Sequence, residues 1–321
     1  MADILTSIHG NLLGLDKDAN LVGKGGQLIG PNMQTAGKTF YVSSVTGQST
    51  GTGGSPQSPV TTIALALALC TANQGDTIVL LPKHAETITA AAGIAIAKAG
   101  VAIIGAGVGA QRPTLTYTTA NTATFTVTAA DVYMENILFV ANYASIAAAI
   151  AVSATGFKAN NLEFRDTDAT HSFLVAIKAT GAANTSDGLS VKNCKRYGVD
   201  TTGGAFISLV DNVDRLEALD NISYSAGTAG CFILSAGTKI VTNASIGRNR
   251  HQTAATSGNL FISNGGSANT GLVYDNYCGN LDVTGAQTFG AATGLQFFQN
   301  YDTSTSTEAG ALAEAADTPL S

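Results

Sequence analysis

Tryptophan is missing from these 321 residues, and aromatic side chains of all kinds make up only 7%. Carbohydrate grooves rely on exposed rings as stacking platforms. Here Phe125, Phe232 and Phe261 fall inside strand patterns, where a place in the core is expected. Charge is scarce as well: 12% of residues are charged, about half the usual share of roughly 25%. The net charge of −6 comes without the basic stripe of a nucleic-acid binder, so no nucleic-acid partner is expected. Hydrophobic residues reach 45%, yet Ala, Gly, Thr and Ser break every stretch before the ~20 residues of a membrane helix, so no membrane partner is expected either. "MADILTSIHG" carries an acid and no basic start before an apolar block, unlike a secretory leader.

Cysteine is sparse and unpatterned. Cys70, Cys194, Cys231 and Cys278 form no C-x-x-C pair, which leaves zinc and thioredoxin-type readings without support. A chain this long needs no disulfide staples, so buried thiols in a protein folded inside a cell are expected. His9, His84, His171 and His251 are scattered, without metal-ligand spacing. "DKDAN", residues 16–20, begins like a calcium loop, but Leu21 stands where that loop has Gly and Gln27 where it has Glu. No metal and no cofactor are expected.

What the chain does have is repetition. From residue 121 onward an apolar-any-apolar triplet returns as Phe125-Thr126-Val127, Ile150-Ala151-Val152, Val175-Ala176-Ile177, Ile207-Ser208-Leu209, Phe232-Ile233-Leu234 and Phe261-Ile262-Ser263. The steps Val127 to Val152, Val152 to Ile177 and Leu209 to Leu234 are each 25 residues, and the longer steps carry insertions. Asparagines travel with the triplets: Asn136, Asn161 and Asn243 each follow by nine, and Asn193, Asn221, Asn276 and Asn300 follow the stretched copies. The segments are too rich in Thr, Val and Gly for helical repeats. A period near 25 with short strands describes the coils of a parallel β-helix, in which like positions stack on like. Val127, Val152 and Ile177 are expected in one inward column, and the asparagines in another at a turn that tolerates left-handed backbone.

The opening of the solenoid carries a motif. Gly54-Ser55-Pro56, Pro59, Thr62-Ile63, Gly75-Asp76-Thr77-Ile78 and Pro82 resemble the first segment of pectin-lyase-like right-handed β-helix proteins. The resemblance implies an all-β, single-stranded right-handed parallel β-helix over 38–302, with a capping helix at about 61–74. Lyases of that family hold calcium with clustered Asp and use an Arg or Lys base. Polygalacturonase-like hydrolases show N-T-D, G-H-G and R-I-K motifs. None of these stands here. Asp168 and Asp200, each seven beyond a ladder asparagine, are the acids that adjacent coils place at one offset. Their polar, Gly-rich surroundings predict two solvated, ionised carboxylates, so the expectation is no catalytic residue and no enzyme.

The ends do not share the period. Residues 1–37 hold two strand-like pieces, "LLGL" and "NLVG", and too little apolar mass for a core of their own. Their S-x-H-G-x-x-L-G-L-D-x-x-x-x-L-V pattern resembles leaders on tailed-phage structural proteins. Residues 303–321, "TSTSTEAGALAEAADTPLS", are low in complexity. The expectation is a virion structural protein assembled in the host cytoplasm: a homotrimeric head-decoration protein bound to the major capsid protein through an N-terminal arm. The alternatives are a tail spike or fibre for adsorption and, third, a polysaccharide lyase or hydrolase.

Overall fold

The computed structural model describes residues 37–302, apart from 182–184, 201–203, 227–230, 236, 254–257, 264–265, 281–286 and 292, together with the strands 6–8, 11–15 and 21–23 and residues 313–314. Two compact units form, Met1–Gly37 and Lys38–Ser321. In the first, Thr6–Ile8, Asn11–Leu15 and Leu21–Gly23 make an antiparallel meander, with Leu13 opposite both Thr6 and Gly23.

The second unit is a parallel β-solenoid of the pectin-lyase-like kind. Ten strands stack in the first sheet, from Thr39–Val42 to Leu295–Phe298, and eight in the third, from Ile94–Ile96 to Gln287–Ala291. The second sheet, from Ala85–Ile88, also has ten, its last two being Tyr301–Asp302 and an antiparallel Ala313–Glu314. Tyr133–Glu135, Leu138–Ala141 and Ile150–Val152 make one coil, and each pairs with its counterpart in the next. "TIVL" at 77–80 lies between Thr39–Val42 and Ala102–Gly105, so coils cover it on both edges.

The opening motif has a local physical cause. Asp76 is buried, and its carboxylate accepts from Lys38 N and Thr71 N, both at 2.6 Å, tying the chain before the first strand to the residues after the helix. The helix is Ile63–Leu69, shorter than the expected 61–74. Thr62 caps it by accepting from Leu65 N, and Cys70 leaves in extended backbone, so the chain turns at 72–75 instead of continuing the helix. Ile63, Ala66 and Leu67 bury the face that packs on the neighbouring strands. The helix N-terminus is held from outside as well: Ile63 N donates to Glu86, which lies 3.2 Å from Nε2 of buried His84.

Two columns differ from expectation by small register shifts. Val127 does stack on Val152, but Ile177 stacks on Ile150, and the column runs Ile94, Phe125, Ile150, Ile177, Ile207, Ile233, Ile262. A shift of two keeps Ile177 inward because side chains alternate with period two. Leu234 is shifted by one instead: it pairs with Ser208 and points outward, 40% exposed. Beside these columns a ladder of rings fills the interior, with Phe139 on Phe164 at 5.1 Å, Phe206 on Phe232 at 5.2 Å and Phe232 on Phe261 at 4.7 Å. Phe125, Phe232 and Phe261 are thus core residues.

The asparagines form two columns rather than one. At the turn between the first and second sheets, Asn136, Asn161, Asn193, Asp220, Arg248, Asp275 and Gln299 all hold φ between 50° and 58°. The next position, fully buried, reads Ile137, Leu162, Cys194, Asn221, Asn249, Asn276 and Asn300. Halfway along the solenoid the asparagine therefore moves from the outer to the inner place. Each inner amide donates to the Oδ1 of the next, at 2.9 Å from Asn221 to Asn249, Asn249 to Asn276 and Asn276 to Asn300. Asn243 belongs to neither column: it precedes a first-sheet strand, in register with Arg215.

All four cysteines are buried, and desolvation pushes the Cys194 and Cys231 thiols up to about 12, which keeps them protonated and unreactive. Among the described residues no helix is long and apolar enough to cross a membrane.

Candidate functional site

Outward positions of the second sheet change character along the solenoid. One column reads Glu163, Lys195, Ile222, Arg250, Tyr277, Tyr301, and the other Arg165, Tyr197, Tyr224, Gln252, Gly279. Four tyrosines thus gather on one face, with Tyr197 40% and Tyr277 41% exposed. Composition understated this: the rings expected in the core are phenylalanines, and although Tyr117 of the same sheet is buried with them, Tyr197, Tyr224, Tyr277 and Tyr301 face out. The signal was local, in "KRYG", "ISYS" and "NYCG", where an outward place puts Tyr between buried neighbours.

These columns edge a groove of about 690 Å³ lined by Tyr197, Ile222, Tyr224, Arg250, Gln252 and Tyr277, with Ser223, His251 and Gly279 beneath. Gly279 supplies no side chain, so the second column stops at Gln252 and the floor opens there. Tyr277 and Tyr301 stack at 5.3 Å with 14° between planes, and the Arg250 guanidinium lies 5.9 Å from the Tyr277 ring centre on the preceding rung. Arg250, Tyr277 and Tyr301 therefore brace one another before any ligand arrives. Ring edges, hydroxyls and guanidinium donors remain to contact a ligand.

Charged groups nearer the start of the sheet are already engaged. Glu163 is buried between Arg112, at 2.8 Å, and Arg165, and Arg112 also reaches the Asn161 carbonyl. Behind Tyr197, Arg196 points into the core, 3% exposed, and donates to the carbonyls of Gly204 at 2.9 Å and Phe173 at 3.0 Å. Asp166 accepts from Phe173 N at 2.9 Å and Val199 N at 3.1 Å. Burial raises its carboxyl above the ordinary 3.8, against those hydrogen bonds and the Arg196 charge. This cluster ties Phe173, Val199 and Gly204 to the second sheet.

The two acids singled out from sequence do not share a setting. Asp168 is exposed and accepts from Thr170 and His171 within its own loop, hydrogen bonds that hold it well below the usual carboxylate range. Asp200, expected in solvent, is instead buried and accepts from the Ser172 hydroxyl. Val199 donates back to Asp166 beside Arg196 and Asp200 is buried next to it, and a local composition of polar and Gly residues gives no sign of that. Among the described residues no group of three His, Cys, Asp or Glu is placed to hold a metal ion. The calcium-loop imitation at 16–20 and His9 lie outside the described residues.

The architecture defines a parallel β-helix with an aromatic-edged groove on one face. No family model matches the chain, and no curated protein matches it. Among solved structures it resembles a GH136 lacto-N-biosidase from Eubacterium ramulus, at TM-score 0.50 and 12% identity, over 83% of this chain and 60% of that one. At that identity the likeness is one of fold, and this chain spans about three-fifths of the neighbour's length. It nonetheless corrects the expectation that the chain is not an enzyme. A glycosidase is built on a solenoid of this kind, so missing lyase and polygalacturonase motifs do not rule out glycoside chemistry.

Proposed function

We propose that the chain is a virion protein of a tailed phage that engages host-surface carbohydrate along the groove of its second sheet. The observation that carries this reading is the tyrosine-edged groove. A tyrosine offers an apolar ring and a hydroxyl together, which suits the C–H faces and hydroxyls of a pyranose. The leader pattern in residues 1–37 supports the phage setting, and the groove favours adsorption over head decoration. In a titration of the purified chain with oligosaccharides from the host surface, Tyr224→Ala and Tyr277→Ala should each weaken binding by about 5- to 30-fold. Affinity unchanged in the double variant refutes the reading.

Two further readings each have a specific support. Glycoside cleavage on the same face is favoured by the glycosidase neighbour, and shortened oligosaccharide in the same incubation reads it. A homotrimeric head-decoration protein, attached to the major capsid protein by its leader, is favoured by the compact unit that Met1–Gly37 forms by itself. Copy number separates it: hundreds per particle mean head, a few tens at most mean tail.

A further inference from the structure

Resting on the carbohydrate reading, we propose that the groove selects glycans bearing an anionic substituent, and that Arg250 is the residue that reads it. Arg250 is the one fully charged side chain among the groove-lining residues, and no Asp or Glu lines it. The chain as a whole carries −6, so this face departs locally from the charge of the molecule. Lys195, two rungs back in the same column and exposed, extends the positive edge.

The other five arginines are spoken for. Arg112 and Arg165 pair with Glu163, Arg215 with Asp214 and Arg248 with Asp220, while Arg196 bonds to two carbonyls inside the fold. Arg250 has no acid partner among the described residues. Its contact is the Tyr277 ring, whose centre lies 5.9 Å from the guanidinium carbon. Tyr277 is in turn held against Tyr301. A planar fork of five donors, set on the groove wall and uncompensated by an acid among the described residues, matches a carboxylate or a phosphate in bidentate geometry. Both carry that chemistry on a glycan, as the carboxyl of an acidic sugar or as a phosphodiester between sugars.

The test is calorimetric titration of the full chain with four probes: a hexuronate-containing oligosaccharide, its carboxyl-reduced counterpart, a phosphodiester-linked oligosaccharide, and inorganic phosphate. An anionic glycan should bind about tenfold or more tightly than the reduced one, and the gap should narrow as salt rises. Arg250→Ala should abolish the gap while the circular dichroism stays native. Arg250→Lys should keep part of it, since the charge remains without the fork. The arm that gains identifies the source of the anion. Equal binding of charged and reduced oligosaccharides overturns this inference and leaves the carbohydrate reading standing. A preference that survives Arg250→Ala overturns the assignment to Arg250. Binding of phosphate alone, or of no glycan at all, overturns both.

Discussion

Asn249 sits in the middle of the buried amide column, and its side chain is fully used. Its Oδ1 accepts from Asn221 N at 3.0 Å and Asn221 Nδ2 at 2.9 Å, and its Nδ2 donates to the Ala218 carbonyl at 2.7 Å and to Asn276 Oδ1 at 2.9 Å. Asn249→Ala removes all four. Asn276 Oδ1 keeps the Asn249 backbone donor at 3.0 Å, but two donors on Asn221 lose their acceptor at a site without solvent. At about 1–3 kcal/mol for each orphaned buried group, the loss should be about 2–6 kcal/mol. Arg248→Gly, one residue earlier, is the control. Glycine suits the φ of 55°, and the exposed ion pair to Asp220 that it removes is worth about 1 kcal/mol at most. Urea unfolding followed by far-ultraviolet circular dichroism, with hydrogen exchange at the Asn221 amide, reads both variants. A loss below about 1 kcal/mol in Asn249→Ala, or an Asn221 amide still fully protected, would refute a stabilising role for the column.

Two other predictions concern register and pH. Ile177→Ala should cost about 2–5 kcal/mol, and double-mutant cycles should couple Ile177 more strongly to Ile150 than to Val152; the reverse order would contradict the column assigned here. Because the native Asp166 carboxyl binds its proton more tightly than the unfolded chain does, its contribution is complete below pH 3.8 and is lost as pH rises through the raised folded value. The stability difference between the wild type and Asp166→Asn should therefore fall as pH rises just above 3.8, and a rising difference would refute the burial argument.

The sequence by itself determined the solenoid, because a coil repeats its needs. Phe125 to Val127 and Ile150 to Val152 face the same core at the same pairing, so an undisturbed 25-residue step is legible as stacking. The left-handed turn was legible for the same reason at Asn136, Asn161 and Asn193, since few residues hold such backbone without strain. Asp76 marked the opening because one carboxylate ties together two segments close to it in the fold. Beyond the insertions only the tertiary structure decided. One added residue flips a strand from core to solvent, which put Leu234 outside, and a one-place change moved the asparagine column inside at Asn221. The same alternation turned Tyr197, Tyr224, Tyr277 and Tyr301 outward together, and a loop of unpredictable path buried Asp200. Facing and burial depend on register summed over every preceding turn, and turn length varies freely because loops on a solenoid's surface leave its core unaltered.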